Sequence, residues 1–275
     1  MSKSKVAVIM SVYYSDDLTN LKCAVESIII QTYSNIIFYI YLDGVVSSDV
    51  ENYLYQLSLE NKNIKIISNH QNNGLAFALN QLIEVVVKNK DVEFIARMDS
   101  DDISIDTRIE KQVKYIKEND FDLVGTYCTE FGSESSLAVK KVPLTHSDIL
   151  KYSITRCPFI HPTVMFRKSI FESSNIRYPE NTTFTEDMGL WFKILDHKLI
   201  CGNLPEVLLK YRMSDETVSR RKGINKAISE IKLRSKYMLK LNQFSVKNLI
   251  LIISRLVFHS LPPKLLKIAY KNFRN

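Results

Sequence analysis

The sequence predicts an α/β protein: a mostly parallel sheet flanked by helices, followed by a basic helical tail. Three observations carry this reading. Short apolar runs alternate with segments of helical spacing from Val6 to Ile116, the pattern of a sheet covered by helices. One run, Phe94-Ile95-Ala96-Arg97-Met98, stops abruptly on Asp99-Ser100-Asp101-Asp102. A strand that ends on carboxylates places them at the edge of a sheet, where open α/β sheets bind ligands. The third observation is charge. From Arg220 to Asn275 there are fourteen Lys or Arg and one acid, Glu230, a net +13, while the whole chain is only +7.

Taken in order, Val6 to Val12 is an apolar strand, and Leu18 to Gln31 has helical spacing at Leu21, Val25, Ile28 and Ile29. Ile36 to Leu42 is a strand ending on Asp43-Gly44. Ser47-Ser48-Asp49 caps a helix over Val50 to Leu59, with Val50, Tyr53, Leu54 and Leu57 on one face. Ile64 to Ile67 is a short strand, and Asn72-Asn73-Gly74 a turn. Leu75 to Val87 is a helix, Phe94 to Met98 the fourth strand, and Asp106 caps a helix through Ile116. Beyond Phe121 the pattern is irregular: strands at Leu123 to Phe131, Thr163 to Phe166 and Val207 to Arg212, helices at Glu186 to Leu195 and Gly223 to Leu241. Pro262-Pro263 breaks the tail into two helical pieces.

With 275 residues, 45% hydrophobic, the chain can bury a sizeable core. Seven Gly and seven Pro exclude a fibrous or low-complexity protein. Cys23, Cys128, Cys157 and Cys201 form no Cys-x-x-Cys pair, which fits free thiols in a reducing cytosol rather than a disulfide scaffold or zinc site. The N-terminus runs directly into a strand, without the pattern of a secretory signal. No Walker loop, His-Glu-x-x-His or Gly-x-Ser-x-Gly occurs, and the first strand is followed by Tyr13-Tyr14-Ser15-Asp16 rather than a glycine-rich dinucleotide loop.

Three carboxylates within four residues repel one another unless a cation joins them. Asp oxygen suits Mg²⁺ and Mn²⁺, which often share their site with substrate phosphates. The plain alternative is a solvated acidic turn capping the next helix.

The ordered set Ser11-Val12-Tyr13, Asp43-Gly44, Asn73-Gly74, Asp99-Ser100-Asp101-Asp102 and Glu186-Asp187 with Leu190-Trp191 resembles the family 2 glycosyltransferases. Their nucleotide-sugar-binding fold is called GT-A. The wording is most similar to the branch that builds bacterial O-antigen, capsule and exopolysaccharide, and the resemblance runs from about residue 5 to 220. It implies a GT-A domain over residues 1–222 and a basic helical extension over 223–275.

It also implies roles. Val12, Tyr13, Asp43, Asn73 and Gly74 would hold the donor nucleotide, Asp43 by accepting from base N–H or sugar hydroxyls. The family usually has two acids at the end of the second strand, whereas this chain has Leu42-Asp43. Asp99, Asp101 and Asp102 would bind Mn²⁺ or Mg²⁺, with Asp99 and Asp101 also touching the donor. Leu79 stands where many members have Arg, so Arg97 is the candidate cation for the diphosphate; its structural alternative is an ion pair with Asp99. Asp187 would be the general base of an inverting transfer and Glu186 its neighbour on the donor sugar; helix N-capping is the structural alternative. His161 and Trp191 would line the acceptor side, with a buried structural role the alternative for His161. Arg220 and Arg221 would close over the diphosphate.

The implied acceptor is a lipid-diphosphate-linked saccharide. A basic tail suits an anionic partner, nucleic acid or membrane, and the resemblance selects the membrane. Leu249 to Leu261 spans about thirteen residues, short of the roughly 20 that cross a bilayer, and reads as interfacial, with an ordinary helix packed on the domain as the alternative. The expected location is thus cytoplasmic, peripheral on the inner face of the bacterial membrane. Two rivals remain at this stage: a sugar nucleotidyltransferase, which would carry a glycine-rich basic loop after the first strand, and a non-catalytic membrane- or nucleic-acid-binding module.

Overall fold

In the computed structural model, residues 3–134, 136–172, 176–182, 185–213 and 224–260 are described. Strands β1 (Lys5–Tyr13), β2 (Ile36–Asp43), β3 (Ile64–Asn69) and β4 (Val92–Arg97) alternate with helices α1 (Leu18–Ile29), α2 (Ser48–Glu60) and α3 (Leu75–Val87). These four strands run parallel in the order β3-β2-β1-β4. The second half adds β5 (Ile103–Ser104), α4 (Arg108–Glu118), β6 (Leu123–Phe131), α5 (His146–Ser153), a 3-10 turn at His161–Thr163, β7 (Met165–Arg167), α6 (Ser169–Glu172), α7 (Glu186–Asp196) and β8 (Cys201–Arg212). They extend the sheet as β4-β7-β6-β8-β5, with β7 antiparallel to both neighbours and β6 parallel to β8. Two helices follow, α8 (Ile224–Lys240) and α9 (Val246–Ser260).

Strand periodicity splits the core in two. Val6, Val8, Met10 and Val12 of β1 pack with Leu21, Val25 and Ile28 of α1, and with Ile109, Val113 and Ile116 of α4. Ala7 and Ile9 point to the opposite face, where Leu79, Leu82, Ile83 and Val86 of α3 meet Trp191 and Ile194 of α7. Parallel register brings the strand ends to one edge. Tyr13 lies level with Asp43, and Ile9 with Arg97.

Several boundaries differ from expectation, each for a local reason. Helix α4 begins at Arg108 behind Thr107, with no side-chain cap; Asp106 instead presents its carbonyl to Thr32 N–H. The strand expected at Thr163–Phe166 splits, because His161–Thr163 coil into a 3-10 turn before β7. β8 starts at Cys201 rather than Val207. Pro205 interrupts its pattern, yet the ladder simply shifts register there, pairing Thr126 with Leu204 and Tyr127 with Val207. A bulge is where a strand tolerates proline. Helix α5 went unpredicted, although Thr145 caps it by accepting from Asp148 N–H.

Candidate active site

Asp43 ends β2 and is buried. Both of its oxygens are engaged, Oδ1 by Asn73 N–H at 2.9 Å and Oδ2 by Gly74 N–H at 2.8 Å. The carboxylate therefore ties β2 to the start of α3. Gly74 caps α3 at φ +88°, a conformation that disfavours side chains. Val12 is fully buried, while Tyr13 is half-buried with its ring edge-on to exposed Tyr14. Leu79 faces the core, so a cation on this turn of α3 would have to lie in apolar surroundings.

One oxygen from each of Asp99, Asp101 and Asp102 lies within 4.8 Å of the others. Asp102 is 0% exposed. Its Oδ1 accepts from Arg212 N–H at 2.7 Å, and its Oδ2 has no partner. Burial, then repulsion from Asp99 and Asp101, holds the Asp102 carboxyl well above the carboxylate range. Asp101 is pushed up to about 6 by burial and Asp99, against the opposing pull of Arg212 and Arg97. A fourth carboxylate belongs to this group. Asp16, just beyond β1, accepts from Tyr13 N–H at 2.9 Å and from Ser100, and burial raises it to about 7. Converging hard oxygen donors, one of them buried and unpartnered, fit a divalent cation of the Mg²⁺ or Mn²⁺ kind.

Arg97 ends β4, is buried and forms an ion pair with Asp99. Its Nε and Nη1 have no hydrogen-bond partner. Burial opposes the charge, but Asp99, Tyr178 and Asp102 more than offset it and hold the guanidinium protonated. Buried Arg108 lies nearby, donating Nη1–H to Pro162 O at 2.7 Å, and burial lowers it to about 10. Arg212 reaches Asp101 O through Nε at 2.8 Å and packs over the Phe131 ring.

Asp187 opens α7. Its Oδ1 accepts from Met188 N–H at 2.6 Å, and the Cys157 thiol lies 3.7 Å from Oδ2 and 3.3 Å from Phe159 O. Burial, then Asp187, pushes this thiol up to about 12, so it stays protonated. Tyr178 is buried and feels charges from both Asp187 and the acid cluster. Burial raises its hydroxyl, Arg97 opposes, and Asp187, Asp99 and Glu186 all add to the rise. His161 Nε2 is 2.9 Å from the Tyr178 oxygen. Burial and Arg97 hold the imidazole well below its ordinary value, hence neutral.

The family model described as Glycosyl transferase family 2 matches residues 7–174. The chain belongs to glycosyl transferase family 2. It is 33% identical over 271 residues to an Escherichia coli UDP-Gal:alpha-D-GlcNAc-diphosphoundecaprenol beta-1,3-galactosyltransferase, covering 97% of this chain and 95% of that one. It is 30% identical over 270 residues to the amylovoran biosynthesis glycosyltransferase AmsE of Erwinia amylovora, covering 98% of both. Among solved structures, S. aureus TarS 1-349 in complex with UDP-GlcNAc superposes with a TM-score of 0.61 over 98% of this chain and 89% of that one, at 15% identity. The GT-A fold of this glycosyltransferase is therefore as the sequence led us to expect.

One expectation changes. Trp191, expected to line the acceptor side, is 1% exposed and packs against Phe159, Phe166 and His161. An indole on the inner face of α7 is core, and its contact with any acceptor would pass through His161. Arg97 makes the ion pair with Asp99 that was its structural alternative, and its Nε and Nη1 stay without a partner. Arg220 and Arg221 lie outside the described residues. Sequence reasoning missed Asp16, Cys157 and Tyr178. Asp16 had a signal, an acid just past the first strand; the other two come near Asp187 only through tertiary packing.

Proposed function

We propose that this glycosyltransferase moves a sugar from a UDP-sugar to a hydroxyl of a lipid-diphosphate-linked saccharide, with inversion, in the synthesis of a bacterial surface polysaccharide. The acceptor would be met at the cytoplasmic face of the membrane. The observation that carries the reading is the gathering of the Asp99, Asp101 and Asp102 carboxylates within 4.8 Å of one another beside buried Arg97, at the end of β4. In this reading Asp187 and the acid cluster serve one site. The names of the galactosyltransferase and amylovoran relatives support the acceptor class, and the UDP-GlcNAc complex of a protein of the same fold supports the donor class.

In this mechanism Asp187 removes the proton of the acceptor hydroxyl as its oxygen attacks the anomeric carbon in line, and the bond from that carbon to the β-phosphate oxygen breaks. Asp99, Asp101 and Asp102 would hold Mn²⁺ or Mg²⁺, which when bound supplies charge stabilisation to the departing diphosphate. Arg97 keeps Asp99 oriented and adds positive charge on the same side. Asp43 holds the Asn73-Gly74 turn and offers its remaining lone pairs to the nucleoside. His161, kept neutral, hydrogen-bonds toward the acceptor sugar.

A panel of UDP-sugars with a lipid-diphosphate-linked acceptor, with and without EDTA, tests the assignment. Transfer should require the divalent ion and one donor should dominate. Asp187→Asn should lower kcat by about 10³-fold, within the range for loss of a general base, while UDP affinity measured by calorimetry stays unchanged. Full activity in that variant would remove Asp187 from the role.

A further inference from the structure

Helix α9 turns an apolar stripe outward. Val246, Leu249, Ile250, Ile253 and Leu256 recur at the spacing of one helical face, and all are exposed, Val246 at 67%, Ile250 at 61% and Ile253 at 51%. Phe244, just before the helix, is exposed as well. The side that meets the protein is different. Ile252 is fully buried within a small cluster with Tyr237 and Met238, and Arg255 donates to Thr155 O. The stripe is therefore not the docking face of α9 on its own domain. Contiguous apolar patches of this kind mark interaction sites.

The charge around the stripe selects the occupant. After Glu230 the chain contains no acid at all. Lys247 is exposed on α9, and Lys232 and Lys236 are exposed on α8. A second copy would bring the same base-rich C-terminal segment, fourteen bases to one acid, against itself, which like charges oppose. An anionic lipid surface accepts both the apolar stripe and the exposed bases of the same two helices. The helix has 15 residues, about 22 Å at 1.5 Å per residue, too short for a hydrocarbon core of roughly 30 Å. Among the described residues, no helix is long and apolar enough to cross a membrane. Such a helix lies in the interfacial plane.

We propose that α9 is the membrane-docking helix of this enzyme. Val246, Leu249, Ile250, Ile253 and Leu256 enter the headgroup–acyl boundary of an anionic bilayer, and Lys247 pairs with its phosphates. The proposal deepens the lipid-linked-acceptor reading, because α9 is wired to the base side of the site. Arg255 holds Thr155, and two residues further on Cys157 touches Asp187. An acceptor carried in the bilayer would then arrive beside the general base.

The test is flotation of the full chain with vesicles of phosphatidylglycerol and phosphatidylcholine, without donor or acceptor, so its outcome is independent of any catalytic assignment. The full chain should bind these vesicles, and bind phosphatidylcholine alone far more weakly. Ile250→Ser/Ile253→Ser should weaken binding at least about tenfold, given the contribution of each buried methylene. Val246→Ser/Leu249→Ser is a second, independent pair. Both pairs lie on exposed positions and should keep the wild-type circular-dichroism melt. Failure of the wild-type chain to bind overturns the proposal, as does undiminished binding by both folded variants. So does a lipid-free dimer that either pair dissociates, which would assign the stripe to a second copy. Binding that emerges only after deletion of residues 261–275 would assign it to the chain's own C-terminus, and equally strong binding to neutral vesicles would remove the electrostatic half.

Discussion

His161 is neutral because the folded protein makes its charge expensive: burial and Arg97 both oppose protonation. In the unfolded chain the imidazole takes its proton near pH 6.5. The folded state binds it only at lower pH, so stability is fully present above about 6.5 and is lost as pH falls below that value. The loss approaches roughly 1 kcal/mol per pH unit for one such group. His161→Gln keeps a partner for the Tyr178 hydroxyl but cannot titrate. Its melting temperature should therefore fall less steeply than that of the wild type between pH 6.5 and 5, and parallel slopes would show that His161 ionises freely. At this scale the sequence revealed groups that act through their own chain neighbours. Asp99, Asp101 and Asp102 lie on one turn, and Asp187 opens a recognisable helix. Tyr178 and Cys157 were invisible because nothing near them in sequence hints at Asp187. Asn80 on α3 holds the Tyr178 backbone by two hydrogen bonds across 98 residues, and only the closed fold brings them together.

The site depends on elements as much as on side chains, and Asp43 shows how. It closes β2, but its two oxygens also pin the turn that leads into α3, accepting from Asn73 N–H and Gly74 N–H. Hydrogen bonds to a charged acceptor contribute about 1.5–3 kcal/mol each. Asp43→Ala should thus cost at least about 2 kcal/mol in urea unfolding, in addition to any loss of UDP affinity. An unchanged unfolding midpoint would mean that the turn holds itself. The same dual use explains why the βα half was easy to read: β1 to β4 and α1 to α3 alternate strictly, and each apolar run has one period. The second half was harder. β7 is three residues long and inserts antiparallel between β4 and β6, a placement set by long-range pairing. Pro205 hid the first half of β8 behind a bulge, and two-residue β5 is too short to show a period.

At the scale of the whole molecule, the C-terminal helices are less separate than their charge suggests. Tyr237 of α8 stacks on Phe192 of α7 with centroids 4.7 Å apart and planes 4° from parallel. Ile154, Met188, Phe192, Tyr237, Met238 and Ile252 form one buried cluster. Buried Arg234 donates to Ser153 O and Ile154 O, the carbonyls that end α5, and Thr185, the residue before Glu186, meets Ser229 at 3.2 Å. The helix that carries Asp187 is therefore braced from behind by α8. Removing residues 223–275 would expose Ile154, Met188 and Phe192 to water, at about 1.5–3 kcal/mol for each fully uncovered side chain. Against a total stability of about 5–15 kcal/mol, that loss is large. The truncated chain should melt well below the full chain, bind a hydrophobic dye and aggregate on size exclusion. Tyr237→Ala in the intact chain should reproduce part of the effect, about 3 kcal/mol, and lower transfer by loosening the start of α7. A truncated chain that melts like the full one would show instead that α8 and α9 are an appendage, with Asp187 held by the sheet alone.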